Sequence, residues 1–188
     1  MANLAVFASG NGSNFQVIAE AVQKTGHSVE FLLCNNSSAF TLERAKKLGI
    51  RTYLVSYKNR DREEVEKEIF SLCKKHDISV IALAGFMKLL TSYFLTRFQG
   101  EILNIHPSLL PKYAGVDAIQ RSFESNDPEV GISIIKIDAG VDTGPVLFQK
   151  AISRPESMTI EETEAAIHAL EHEYFPKIVI QELDKIQK

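Results

Sequence analysis

The sequence predicts an α/β fold built on a doubly wound, mostly parallel sheet. Short apolar runs that suit buried strands alternate with stretches in which apolar residues recur at helical spacing. This alternation continues without interruption over the first 84 residues. A repeated strand–helix order of this kind predicts parallel strands joined by right-handed crossovers. We find no linker, internal repeat or low-complexity tract among the 188 residues, and we expect one domain over residues 1–188.

The first half of the chain accounts for four strands and three helices. Predicted strands cover residues 4–8, 29–34, 52–55 and 78–84, and predicted helices cover residues 15–22, 41–48 and 63–76. The third helix carries Val65, Ile69, Leu72 and Cys73 at helical spacing, which indicates one buried face. Residues 78–84 are almost all apolar, as is typical of a central parallel strand.

The second half predicts a change of strand direction. Predicted strands cover residues 101–104, 131–137 and 146–151, with a short helix ending at residue 125. We expect the last strand to be antiparallel, because no crossover helix precedes it. Thr159 and Glu162 fit a capping box that begins a helix. Pro176 should end or kink that helix, leaving 178–186 as a second segment.

Composition and charge narrow the class of protein. Apolar residues make up 45% of the chain and charged residues 24%, as in ordinary soluble proteins. The formal net charge of −3 argues against a nucleic-acid partner. No apolar run is long enough to span a bilayer, and we see no signal peptide at the start. The two cysteines, Cys34 and Cys73, fit buried thiols in a reducing compartment. We therefore expect a cytoplasmic protein.

A glycine-rich turn lies between the first predicted strand and the first helix. Residues 9–14 (Ser-Gly-Asn-Gly-Ser-Asn), called the phosphate loop below, place backbone N–H groups and a positive helix end around an anion. The loop lacks the third glycine of a dinucleotide site and the Gly-Lys-Ser/Thr of a triphosphate site. The pattern favours a monophosphate cradle, although a tight strand–helix connection with no ligand would look similar.

Asn104 and His106 occupy the end of the strand predicted at residues 101–104. Two residues apart on extended backbone, their side chains point the same way. An amide that donates and an imidazole that moves a proton near neutral pH could reach one reacting carbonyl. We expect this strand to lie beside the first strand, so that the ligand crevice is shared with the phosphate loop. A packed or solvated histidine is the alternative.

Two further loops could border a site. Residues 85–90 (Gly-Phe-Met-Lys-Leu-Leu), the apolar loop, follow a strand and could belong to the core or cover a flat ring system. Residues 138–145 (Asp-Ala-Gly-Val-Asp-Thr-Gly-Pro), the acidic loop, could be an ordinary surface turn. His168, Glu171 and His172 share a helix face, but their order is not that of a zinc-binding helix, and we expect no metal.

Together these segments resemble a known family. Residues 104–111 (Asn-Ile-His-Pro-Ser-Leu-Leu-Pro), followed by Asp142-Thr143-Gly144-Pro145, resemble the signature of the folate-dependent formyltransferases. The phosphate loop narrows the resemblance to the members that act on glycinamide ribonucleotide, the phosphoribosylglycinamide formyltransferases. The resemblance covers essentially the whole chain. It implies the formyltransferase fold, with a Rossmann-like N-terminal half, and small-molecule substrates; we add a homodimer as an expectation.

The resemblance also implies the reaction and its residues. The formyl group of 10-formyltetrahydrofolate, a cosubstrate, would pass directly to the amine of glycinamide ribonucleotide in purine biosynthesis, without metal or covalent enzyme intermediate. Asn104 would stabilise the oxyanion, which is typically worth ~3 kcal/mol, and His106 would act as general acid, oriented as imidazolium by Asp142. The implied nucleotide-binding residues are Asn11, Gly12, Ser13, Asn14, His168 and Glu171. The implied folate-binding residues are Arg62, Met87, Lys88, Leu89, Leu90, Asn104, Asp138, Ala139, Gly140, Val141 and Asp142.

The chain departs from the common family pattern at several positions. Relatives often have arginine where Lys88 stands, a Pro-Gly-x-His segment where Ala114 and Asp117 stand, and histidine where Ile135 stands. Methionyl-tRNA formyltransferase and formyltetrahydrofolate deformylase are rivals in the same superfamily, but each normally carries a further domain. A nucleotide-binding module without catalysis is the rival of another class, although it would have no reason to pair Asn104, His106 and Asp142.

Overall fold

The computed structural model describes residues 1–186, which contain seven strands and six helices. The strands are β1 (Asn3–Ala8), β2 (Ser28–Cys34), β3 (Thr52–Leu54), β4 (Ile78–Leu83), β5 (Glu101–His106), β6 (Glu129–Lys136) and β7 (Val146–Ser153). The helices are α1 (Ser13–Val22), α2 (Thr41–Lys47), α3 (Arg62–Lys75), α4 (Ser92–Arg97), α5 (Ala118–Glu124) and α6 (Ile160–Ile186). One domain over residues 1–188 stays a prediction, and residues 187 and 188 lie outside the described residues.

All seven strands form one sheet, in the order β3-β2-β1-β4-β5-β6-β7. The pairs from β3 to β5 are parallel, whereas β6 is antiparallel to both β5 and β7. This confirms the predicted doubly wound, mostly parallel sheet and the antiparallel pairing of the last strand. The expectation that the strand of Asn104 lies beside the first strand is wrong, because β4 separates β1 from β5.

Apolar clusters cover both faces of the sheet. One contains residues of α1 and α6 and the other contains residues of α3 and α4, and we name the two faces after these helices. Along β5, Leu103 and Ile105 belong to the α1/α6 cluster and Ile102 to the α3/α4 cluster. Since side chains alternate along a strand, Asn104 and His106 point to the α3/α4 face. The strand also extends to His106 and does not end at Asn104 as predicted.

Helix α4 was not predicted. It has only six residues, too few for a helical period to be read. Its N-cap residue Thr91 donates both its N–H and its hydroxyl to the carboxylate of Glu66, which is fully buried on α3. The helix therefore begins where a distant carboxylate satisfies its N-terminus.

Helix α6 is continuous, so the predicted break at Pro176 is wrong. Proline removes one hydrogen bond to the preceding turn, but Phe175, Val179 and Leu183 are buried in the α1/α6 cluster on either side of it. Burial of these side chains offsets the lost backbone hydrogen bond, and the helix continues to Ile186. No helix within residues 1–186 is both long and apolar enough to cross a membrane.

The helix start and the cysteines match the predictions. Thr159 N–H donates to Glu162 Oε2 at 2.9 Å, and Glu162 N–H donates to Thr159 Oγ1 at 3.2 Å, which confirms the capping box. Cys34 and Cys73 are free and buried. Burial raises the pKa of the Cys73 thiol to about 12, so it stays protonated and unreactive.

Candidate active site

Three side chains meet over the α3/α4 face of β5. The carboxylate of Asp142 accepts from Asn104 Nδ2 at 3.3 Å through Oδ1, and its Oδ2 lies 3.3 Å from His106 Nδ1. Asn104 and His106 come from one strand, and Asp142 comes from the acidic loop between β6 and β7. The structure thus brings together the three residues that the sequence singled out for catalysis.

The imidazole of His106 is buried and faces an acceptor on each side. Nε2 lies 2.9 Å from the backbone carbonyl oxygen of Tyr113, and Nδ1 faces Asp142. A carbonyl oxygen can only accept, so Nε2 carries a proton. Nδ1 is then the nitrogen that can gain or lose a proton. Its 3.3 Å contact with Asp142 is longer than the 2.7–2.9 Å usual for a charge-assisted hydrogen bond. Nδ1 can therefore donate to a substrate oxygen in place of this weak contact.

Asp142 is held by the backbone as well as by the two side chains. Gly115 N–H donates to its Oδ2 at 2.9 Å, and its own φ of 53° lies in the left-handed region that aspartate tolerates. The acidic loop also packs tightly at Gly144, where an added Cβ would lie 1.8 Å from the carbonyl oxygen of Lys136. Sequence reasoning missed Tyr113 and Gly115, since backbone groups carry no residue-type signal.

The phosphate loop opens α1 in the arrangement expected of an anion site. Gly12 is the N-cap with φ 76°, and no side chain caps the helix there. An added Cβ on Gly12 would lie 2.3 Å from Oγ1 of the buried Thr41, so only glycine fits. N–H groups in the first turn of a helix have no partner within the helix. Those of Ser13 and Asn14 can therefore donate to an anion.

Arg44 is a loop-holding residue that the sequence analysis missed. Its guanidinium donates from Nε to the Asn11 carbonyl and from Nη2 to Asn11 Oδ1, both at 2.9 Å. Nη1 donates to Gln16 Oε1. A cation on α2 thereby fixes the phosphate loop and the first turns of α1.

Glu171 joins the phosphate loop to α6. Its Oε2 accepts from Asn14 Nδ2 and lies against His168 Nδ1, each at 2.9 Å. The hydrogen bond to Glu171 raises the pKa of His168. Of the predicted nucleotide-binding residues, Asn14, His168 and Glu171 are therefore in direct contact, while Asn11 is turned towards Arg44. His172 is half-buried, and its Nε2 is buried without a hydrogen-bond partner.

Most of the apolar loop lies on the surface, but Phe86 is buried in the α3/α4 cluster. Met87 is 69% exposed and Leu89 56% exposed, Lys88 is exposed and Leu90 is half-buried. Arg62 donates to the Leu89 carbonyl. Met87 N–H donates to Ser9 Oγ at 2.9 Å, which ties this loop to the phosphate loop.

In the acidic loop, Asp142 points inward to the active-site cluster and the other residues face outward or back into the loop. Asp138 is turned back into the loop, where its Oδ1 accepts from Gly140 N–H at 2.9 Å and from the Thr143 hydroxyl at 2.7 Å. Ala139 and Gly140 are exposed, and Val141 is 47% exposed. Only Asp142 reaches Asn104 and His106, and the other predicted folate-binding residues of this loop form its outer surface.

One departure from the family pattern, Ile135, lies beside the same cluster. Ile135 is fully buried and pairs with Asn104 across the β5–β6 ladder. Residues paired in this way share a face of the sheet, so an apolar side chain flanks Asn104. Asp117 is exposed and is the N-cap residue of α5, with φ 54°. Within residues 1–186, no group of three or more histidine, cysteine or carboxylate side chains is placed to hold a metal.

Comparison with known proteins shows the family to which the chain belongs. The family model described as "Formyl transferase" matches residues 2–179. Phosphoribosylglycinamide formyltransferase of Bacillus subtilis strain 168 is 38% identical over 184 residues, covering 96% of this chain and 94% of the relative. Among solved structures, glycinamide ribonucleotide transformylase 1 from Geobacillus kaustophilus superposes with a TM-score of 0.92 at 38% identity, covering 97% of this chain and 99% of that one. Phosphoribosylglycinamide formyltransferase from Streptococcus pneumoniae TIGR4 gives a TM-score of 0.90 at 38% identity, covering 96% and 98%. The chain therefore belongs to the formyl transferase family, among its phosphoribosylglycinamide formyltransferases.

Proposed function

We propose that this protein transfers the formyl group of 10-formyltetrahydrofolate to the amine of glycinamide ribonucleotide, giving formylglycinamide ribonucleotide and tetrahydrofolate. The carrying observation is the contact of Asn104, His106 and Asp142 on one face of β5. A binding module without catalysis would have no use for a histidine held between a carboxylate and a carbonyl. We also propose that the protein acts in the cytoplasm as one domain and forms a homodimer, which light scattering over a range of concentrations would test.

The nucleotide would bind between α1 and α6. Its phosphate would accept hydrogen bonds from the N–H groups of Gly12, Ser13 and Asn14, close to the positive end of α1. The buried carboxylate of Glu171 is an acceptor suited to the ribose hydroxyls, and it already accepts from Asn14. The hydrogen bond between Asn14 and Glu171 would set the separation of the phosphate and ribose subsites.

The residues present fit a folate. Exposed Met87, Leu89 and Val141 provide apolar surface for a flat ring on two loops that flank Asn104 and Asp142. Arg62 and Lys88 place positive charge on the same side, suited to the carboxylates of a folate tail. Bound there, 10-formyltetrahydrofolate supplies the formyl carbon that the amine attacks.

The reaction requires a proton to move from the attacking amine to the departing folate nitrogen. As the amine bonds to the formyl carbon, negative charge develops on the formyl oxygen, and Asn104 Nδ2 and His106 Nδ1–H donate to it. Collapse of this tetrahedral intermediate breaks the carbon–nitrogen bond to the folate, and His106 Nδ1 delivers a proton to that nitrogen. The nitrogen of the new formamide loses its extra proton, which restores His106. Asp142 stabilises the imidazolium before it delivers the proton and again after it regains one, while the Tyr113 carbonyl holds Nε2.

Turnover and binding of a His106→Ala variant test the proposal. We expect kcat to fall by at least a hundredfold, with the affinity for glycinamide ribonucleotide unchanged in calorimetry, because His106 handles the proton and not the phosphate. His76→Gln is the matched control. The His76 side chain is 7% exposed against 6% for His106. His76 precedes β4 and so lies at the amino end of the parallel strands, whereas His106 lies at the carboxyl end of β5. Near-normal turnover in His106→Ala would overturn the mechanism.

A further inference from the structure

The loop that follows β5 is held in an unusual backbone conformation. Residues 107–115, called the proline loop here, carry Tyr113 at a φ of 57°. Positive φ is uncommon for residues other than glycine, so surrounding contacts must hold it. At one end Ser108 Oγ donates to the Lys112 carbonyl at 2.6 Å, and at the other Gly115 N–H donates to Asp142.

Tyr113 connects the site to a carboxylate outside it. Its carbonyl oxygen accepts from His106 Nε2 at 2.9 Å, and its phenol donates to Asp127 Oδ2 at 2.7 Å. The two ends of one residue thus bond a catalytic ring and a carboxylate in the connection before β6. The phenol also lies 2.5 Å from Ser125 Oγ, so Tyr113 is restrained at both its side chain and its backbone.

Asp127 is itself fixed from several sides. Lys112 Nζ lies 3.1 and 3.0 Å from its two carboxylate oxygens. The buried Arg154, just after β7, donates from Nε to the Asp127 carbonyl at 2.9 Å. The hydrogen bonds from Tyr113 and Lys112 lower the pKa of Asp127, so the acceptor remains charged at neutral pH.

We propose that Asp127 is a positioning residue for His106, acting through Tyr113: by anchoring the phenol, it holds the Tyr113 carbonyl against Nε2 and so keeps Nδ1 facing the substrates. This rests on the proposed function, since it concerns the catalytic geometry of His106. Asp127 touches neither substrate in this scheme. A small rotation of the ring would move Nδ1 away from Asp142 and the formyl oxygen, and misplacement on this scale lowers the rate of the chemical step.

The test compares Tyr113→Phe, Asp127→Ala and the double variant. Each single change should lower kcat about tenfold with both KM values unchanged, the lower end of the loss typical when the partner that orients a metal-bound histidine is removed. Because the Asp127 carboxylate acts through the Tyr113 phenol, the double variant should be no slower than the slower single variant. NMR of the His106 ring should show the Nε2 signal shifting in all three.

Two controls separate positioning from general loss of structure. Tyr53→Phe removes a comparable phenol hydrogen bond, 2.8 Å to His76 Nε2, and should leave kcat unchanged. Lys112→Met removes the exposed cation at Asp127 but keeps the bond from Tyr113, and should also retain turnover. Normal kcat in both single variants while His106→Ala is inactive would overturn the positioning role and leave the proposed function intact. Additive losses in the double variant, or an unshifted Nε2 signal, would also overturn it.

Discussion

Replacing Asp142 with asparagine tests how much of the rate depends on one negative charge. Asp142 Oδ2 meets Gly115 N–H and His106 Nδ1, while Oδ1 meets Asn104 Nδ2. An asparagine oxygen can occupy the Oδ2 position and keep the first two contacts. Its NH2 group would then face Asn104, whose amide can flip to accept. The shape of the cluster therefore survives and mainly the charge is lost.

The size of the effect follows from the strength of that one interaction. A hydrogen bond to a charged group is worth about 1.5–3 kcal/mol against about 1 kcal/mol for a neutral one. The difference is about 0.5–2 kcal/mol, and losing it at the transition state lowers kcat by about 2- to 30-fold. We expect the affinity for glycinamide ribonucleotide to be unchanged, because the phosphate loop is on other elements.

A spectrophotometric assay of formyl transfer, with calorimetry for nucleotide binding, gives both quantities. Asp184→Asn is the matched control. Asp184 lies on α6 with its carboxylate 2.9 Å from His27 Nε2, and its replacement should leave kcat unchanged. An Asp142→Asn enzyme with normal kcat would show that the charge does not assist the transfer. A parallel loss of nucleotide affinity would show that the change disturbs the fold of the site and not the proton alone.

Three further predictions concern the phosphate loop and α6. Gly12→Ala should raise the KM for the nucleotide about tenfold with little change in kcat, because the new Cβ meets Thr41 at 2.3 Å on a backbone with φ 76°; an unchanged KM would argue against this loop as the phosphate site. Thr159→Ala removes the cap of α6 and should cost about 1 kcal/mol, lowering Tm by about 2–4 °C in calorimetry; an unchanged Tm would mean that the cap adds nothing. Because the folded-state pKa of His168 is raised by Glu171, this pair stabilises the fold below the ordinary histidine pKa and loses that contribution as pH rises through the raised value. In an NMR titration, Glu171→Gln should lower the pKa of His168, and an unaltered titration would contradict the pairing.

Much of the fold could be predicted because buried parallel strands carry long apolar runs. The strand predicted at residues 78–84 is found at Ile78–Leu83, and most other predicted bounds lie as close. Two features escaped because they depend on distant residues. Helix α4 starts at a carboxylate of α3, and Pro176 stays helical because of its buried neighbours. Local helix propensity contains no information about contacts between residues that are distant in the sequence.

In the candidate site, too, some residues could be predicted from the sequence and others could not. The two-residue spacing of Asn104 and His106 revealed their shared direction, and turn chemistry drew attention to the acidic loop. The partner of Nε2 was out of reach, since it is the backbone of Tyr113, and any residue type has a carbonyl. Arg44 gave no signal either, because its role depends on the packing of α2 beside α1. Side-chain chemistry could be predicted from the sequence, but the groups that orient it could not.

The position of α6 has a consequence for how the protein is made. This helix carries residues 160–186 and is the last of the described elements to leave the ribosome. Until it emerges, the α1/α6 side of β4, β5 and β6 has no cover, and the nascent chain presents an apolar surface of the kind that chaperones bind. Glu171 must then find Asn14, 157 positions earlier in the chain. We expect the strands to form while synthesis continues, and the nucleotide subsite to mature only once α6 has emerged.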